Sequence, residues 1–131
     1  MTTSDPAERV VLRSAVPGLP VADIERAVDY YEGTLGFARR VVKEDFAAVH
    51  RDDVEVHVWL ANGPEGSGAE PYLVGTGECW IEVSDLTSVA AEYRERGVTE
   101  ASAGGSAPEA PARYPIRDLD GNTVTLFEAS S

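Results

Sequence analysis

A single cysteine, two histidines and fewer than half as many bases as acids are what this chain of 131 residues is short of, and each shortage removes a class of explanation. Cys79 alone allows no internal disulfide and fits a reducing compartment. Its alternation with Ile81 and Val83 predicts a packed, buried thiol rather than a nucleophile. Two histidines leave no Ser-His-Asp arrangement, and Gly104-Gly105 lacks the strand and helix that a phosphate-binding loop requires. No apolar run approaches the roughly 20 residues of a spanning helix, and residues 1–10 lack the charged-then-apolar order of a signal peptide. The expectation is a soluble, cytoplasmic protein with no membrane partner. With 23 acids against 11 bases, the net charge of −12 repels nucleic acid and would attract cationic ligands over long range. Acidity of this kind also serves solubility alone.

What the chain does have is a stretch, DFAAVHRDDVEVHVWL, that reads as a hairpin with two chemically different faces. Alternating runs at 46–50 and 54–60 flank the turn-prone Arg51-Asp52-Asp53. A turn centred on Asp52-Asp53 pairs His50 with Glu55, Ala48 with His57 and Phe46 with Trp59. Those six share one face. The other face, Ala47, Val49, Val54, Val56, Val58 and Leu60, is apolar throughout and is expected to pack on a core.

The rest of the chain repeats one plan. Residues 10–16 read as a strand, with Pro17 and Pro20 making its continuation an edge or a bend. Asp23 caps a helix expected over 24–35, with Ile24, Ala27, Val28, Tyr31 and Leu35 on one face and Gly36 closing it; 37–43 continues as a strand. Residues 62–71, rich in Gly, Pro, Ser and Glu, form a linker. A second strand at 78–84 then leads to Asp85, which caps a helix expected over 86–96 and stopped by Gly97. A constant offset superposes Val21 on Val83, Asp23 on Asp85, Ile24 on Leu86 and Tyr31 on Tyr93. Residues 101–112 read as loop, and 114–118 with 123–128 form a last hairpin around Asp120-Gly121-Asn122. The expectation is an α+β fold: one domain over 1–131, with modules at 10–62 and 76–129. Each module runs strand, helix, then up to three strands (βαβββ), and the two sheets curl into an open cup.

The repeated unit, the phrase PVADIERAVDYYEGTLGF and the closing RDLDGNTVTLFE resemble the vicinal oxygen chelate superfamily, which includes glyoxalase I, extradiol dioxygenases and antibiotic-binding proteins. SAVPGLPVADIERAVDYYEGTLGF followed by EDFAAVHRDDVEV is similar to the bleomycin resistance proteins within it. The resemblance covers residues 14–128, thinning at 61–77 and 101–113. It implies a homodimer that exchanges N-terminal arms hinged at Pro17 and holds small-molecule antibiotics in grooves between subunits.

The superfamily's enzymes hold a divalent metal at cup-facing positions, which the resemblance maps to Val16, Glu78, Thr125 and a place near Glu55 or His57. Valine cannot coordinate and a neutral threonine is a poor donor, so the expectation is no metal, no cofactor and no catalysis. The alternative is a metal-dependent enzyme of the superfamily acting on a small oxygenated substrate; a regulatory module whose cup binds a metabolite is a third reading. By resemblance, Phe46 sandwiches a planar drug tail, His57 and Trp59 line the groove, and Gly121 makes a backbone contact. Trp80 faces the cup because Glu78 does, and Tyr114 could add stacking area. Rings near carboxylates suit flat, cationic, heteroaromatic molecules. The plainer readings are two polar histidines on a wet sheet face and a tryptophan sealing a dimer contact. The sequence departs from the bleomycin-binding pattern at Arg40, where an acid is expected, at Val41, where an aromatic is, and at Ala110-Pro111 in place of a tryptophan-glycine pair. An enediyne or anthraquinone-like antibiotic is therefore as open as a bleomycin-type glycopeptide.

Overall fold

In the computed structural model, which describes residues 9–62, 70–101 and 113–129, the hairpin forms in the expected register. β3 (Phe46–Arg51) and β4 (Val54–Leu60) pair Phe46 with Trp59, Ala48 with His57 and His50 with Glu55. Asp52 takes the left-handed conformation at φ 53°, which a short polar side chain tolerates better than a branched one. Ala47, Val49, Val56 and Val58 are fully buried, so the apolar face is the core face.

β1 (Gly18–Val21) lies parallel to β4, and β2 (Ala38–Val42) antiparallel to β3, giving the order β1-β4-β3-β2. The strand expected at 10–16 does not form; the chain there has no regular structure, and pairing begins at Pro17, whose carbonyl accepts from His57 N at 2.9 Å. Pro20 sits inside the strand instead of ending it. This is possible because β1 is an edge: the Pro20 carbonyl points away from β4 and accepts from Gly75 N and Asn122 Nδ2, so the missing N–H costs no ladder bond.

α1 (Ile24–Gly33) starts on Asp23, whose carboxylate accepts from Arg26 N, a cap worth about 1 kcal/mol. It ends two residues earlier than expected, and Gly36 at φ 82° turns the chain so that Phe37 N donates to the Tyr31 carbonyl. The second half repeats these moves. β5 (Glu78–Glu82) leads to α2 (Leu86–Glu95), capped by Asp85 through Ser88 N and stopped at Gly97, φ 83°. β6 (Arg113–Arg117) and β7 (Thr123–Phe127) complete a three-stranded sheet, β5-β7-β6. Most of the linker expected at 62–71 and of the loop expected at 101–112 lies outside the described residues.

The two halves share one hydrophobic core and are stitched by polar groups at their junction. Asn122, with no exposed surface, accepts from Gly77 N at 2.7 Å, and its amide donates to Pro20 O and Asp118 Oδ2, both at 3.0 Å. Asp120 accepts from Ala22 N. The backbone comes so close here that a Cβ on Gly75 would lie 2.1 Å from Asp120 O. The repeat tyrosines also cross the junction: Tyr31 OH donates to Asp118 Oδ2 and Tyr93 OH to Leu35 O, both at 2.8 Å. The Asp-Gly-Asn turn is thus a clasp between the halves as well as a hairpin bend.

Candidate functional site

Strand alternation puts Phe46, Ala48, His50, Glu55, His57 and Trp59 on the face of the first sheet away from α1. The Phe46 and His57 rings meet edge to face, centroids 4.9 Å apart. Trp59, opposite Phe46, is 36% exposed and lies against Gly18, within van der Waals reach of that residue. Ala48, across from His57, is 3% exposed, covered by its neighbours on this face.

The polar groups on this face are paired with one another. His57 Nε2 lies 2.6 Å from Glu55 Oε2, and Arg40 Nε lies 3.1 Å from Glu55 Oε1. The hydrogen bond from His57, reinforced by the Arg40 charge, holds the Glu55 carboxyl below the usual carboxylate range. Alternation from Ala38, opposite His50, puts Arg40 on this face, and the register shift between Arg39 and Val41 turns Val41, opposite Ala48, to the same side. Arg40 stood out in the sequence only as a departure from the resemblance.

The corresponding face of the second sheet carries Glu78, Trp80 and Glu82, with Thr125, Phe127 and Arg113 beside them. Trp80 is 48% exposed, packs edge to face with Phe127 at 5.7 Å, and has the Arg113 guanidinium 5.8 Å from its ring centre. Its indole N–H donates to Glu78 Oε1 at 3.3 Å. Val54, Glu55, Trp80, Ile81 and Glu82, with Val16 and Pro17, line a cavity of about 350 Å³ between the two sheets beside the N-terminal segment; Phe46, His57 and Trp59 are not in its lining. A larger cleft, about 480 Å³, opens near the Arg51–Glu92 ion pair; its rings, Phe37 and Tyr93, are buried in the core, so it offers no exposed aromatic surface.

Two expected site residues lie elsewhere. Tyr114 is on the opposite face of β6 from Arg113 and Pro115, only 2% exposed, and its hydroxyl donates to Val98 O at 2.8 Å; it is a core residue, because the parity that brings Arg113 beside Trp80 turns Tyr114 inward. Gly121, at φ 102°, sits in the clasp next to Gly75, away from the rings of the first sheet. Cys79 is buried and its thiol is pushed up to about 11, by burial first and then by Asp118 and Glu78, consistent with packing.

The donor set does not fit a metal. Both Glu55 oxygens are engaged, Val16 offers no donor and lies ahead of β1, and Thr125 is buried opposite Trp80 rather than Glu78. Among the described residues no three His, Cys, Asp or Glu side chains gather where they could hold an ion.

Residues 12–126 match the model of the Glyoxalase/Bleomycin resistance protein/Dioxygenase superfamily. The chain belongs to that superfamily. Bleomycin resistance proteins of Geobacillus stearothermophilus and Staphylococcus aureus are each 26% identical to it over 125 residues, 87% of this chain and 95% of theirs. A bleomycin-binding protein from the bleomycin-producing Streptomyces verticillus, crystallised with copper(II)-bleomycin, superposes with a TM-score of 0.76 at 26% identity, covering 93% of this chain and all of that one. The fold of this superfamily member is thus the mixed α+β, two-sheet fold of these binding proteins. Among the described residues no helix is long and apolar enough to cross a membrane.

Proposed function

We propose that this protein confers resistance by binding a bulky aromatic antibiotic and sequestering it without chemical change. The observation that carries this reading is the pair of partly exposed tryptophans, Trp59 and Trp80, on the wet faces of two sheets whose other faces are closed apolar cores. Large rings left half in water beside fixed polar groups are a recognition surface. Phe46, His57 and Trp59 form the stacking platform; Trp80, flanked by Glu78 and Glu82, is a second ring able to hold a cationic portion of the ligand. The similarity to bleomycin-binding proteins supports the ligand class, and the donor set, which does not fit a metal, supports binding over catalysis.

The working unit in this reading is a cytoplasmic homodimer, each subunit one domain of two modules. In a single chain the ring face of the first sheet is open, and Val10 and Leu12 are about nine-tenths exposed, which suits an arm that pivots at Pro17 onto a second copy. Titrating the protein with bleomycin and a panel of aromatic antibiotics, with native mass measured alongside, tests the whole reading. One ligand per site on a dimer, recovered with unaltered mass, is expected. A modified drug, or no binding by any member of the panel, would overturn it.

A further inference from the structure

Two consecutive arginines leave β2 in opposite directions. Arg39 turns to α1 and meets Asp29 at 2.6 Å, Glu32 at 3.2 Å and Glu25 at 3.4 Å. Arg40, the next residue, points to the other face by ordinary alternation, and the register shift turns Val41 the same way, so both join Phe46, His57 and Trp59 there.

The bonding around Arg40 is asymmetric. Glu55 is fully used, one oxygen by Arg40 Nε and the other by His57 Nε2. Arg40 is held as an ion pair, its Nε 3.1 Å from Glu55 Oε1; among the described residues no hydrogen bond engages its terminal nitrogens, and the side chain is 52% exposed. A guanidinium anchored in this way presents its terminal N–H groups as a fork, the shape that receives two oxygens of an anion. No carboxylate other than Glu55 projects from β3 or β4 onto this face, and Glu55 is neutralised. In a chain of net charge −12, the ring-bearing face of the first sheet is therefore a place where negative charge is answered.

We propose that Arg40 is the specificity-determining residue of this face, and that the face takes a planar aromatic group carrying an acidic oxygen, a carboxylate or an ionised phenol, beside its rings. This rests on the reading of the face as the ligand site. The rings stack on Phe46 and Trp59 while the acidic oxygens enter the Arg40 fork. Glu55 is a positioning residue that aims the fork and orients His57.

Calorimetric titration of the full chain with anthraquinone-2-carboxylate and with its methyl ester tests this directly. Wild type is expected to bind the acid about tenfold more tightly than the ester. Arg40→Gln should abolish that preference by weakening the acid alone, and Arg40→Glu should invert it. Glu55→Gln should shrink it while leaving the ester unchanged, which a general loosening of the sheet would not do. Equal binding of acid and ester by wild type, or equal weakening of both in Arg40→Gln, would overturn the role of Arg40. Trp59→Ala is expected to weaken both probes alike. If it changes neither, or if neither probe binds wild type, the ring face is not the ligand site and the inference falls with that reading.

Discussion

The two halves of the chain are built to one plan on their core faces and to two plans on their wet faces. Asp23 and Asp85 cap the helices, Tyr31 and Tyr93 each cross to the other half, and Gly36 and Gly97 close the ends in the left-handed region. On the outward faces the likeness stops. The first sheet carries three rings and a closed network of Arg40, Glu55 and His57; the second carries Trp80 and Phe127 between Glu78 and Glu82, which make no ion pair among the described residues. Repetition therefore persists where packing requires it. A side chain in a shared core is constrained by all its neighbours, whereas one on an open face is constrained only by what it must bind.

The largest expected effect falls where the halves meet. Asn122→Ala leaves the Gly77 N–H without its acceptor and removes two donated bonds, so a stability loss of about 2–4 kcal/mol is expected in urea unfolding. A loss below 0.5 kcal/mol, on the same order as a surface change, would mean the clasp is not what joins the halves.

The wet faces come next. Trp59→Ala should weaken antibiotic binding by about 1–3 kcal/mol while leaving the native mass unchanged, as for a central aromatic anchor. Trp80→Ala should cost less for an uncharged ligand and more for a cationic one, because carboxylates flank that ring. Identical losses for both ligands would erase the distinction between the faces.

The repeat tyrosines give a finer test. Tyr31→Phe removes a bond to a buried carboxylate and should cost about 1.5–3 kcal/mol, whereas Tyr93→Phe removes a bond to the Leu35 carbonyl and a longer one, 3.3 Å, accepted from Arg51 Nη1, and should cost about 1–2 kcal/mol. Chemical unfolding of the two variants in parallel decides whether the order holds. The smallest effect concerns Glu55. Its carboxyl is held below the ordinary value when folded, so its pairing stabilises the fold above the ordinary carboxylate value and is lost as the pH falls through the depressed one. Glu55→Gln should accordingly flatten the acid limb of the stability curve, and an unchanged limb would show that the network is not maintained in solution.

Much of this architecture was legible in advance because it rests on local rules. Period-two alternation gave the hairpin register, pairing Phe46 with Trp59 and Ala48 with His57, and the capping aspartates marked where both helices begin. The strand expected at 10–16 does not form in the single chain, where Val10 and Leu12 stay exposed, while Pro20, read as an edge or a bend, was accommodated at a sheet edge. Tyr114 was misjudged because aromatic character says nothing about which face of a strand is inward; only the pairing of β6 with β7 decides that.

The amino-acid order by itself therefore determined the elements, the repeat and the two-faced hairpin, since these follow from neighbours a few positions apart. Tertiary structure alone decided that Asn122 clasps the halves, that Arg39 meets the acids of α1 while Arg40 meets Glu55, and that Glu55 lies against both Arg40 and His57. Those outcomes depend on strand register and on groups far apart in the chain, and such long-range geometry leaves no periodic trace in the sequence.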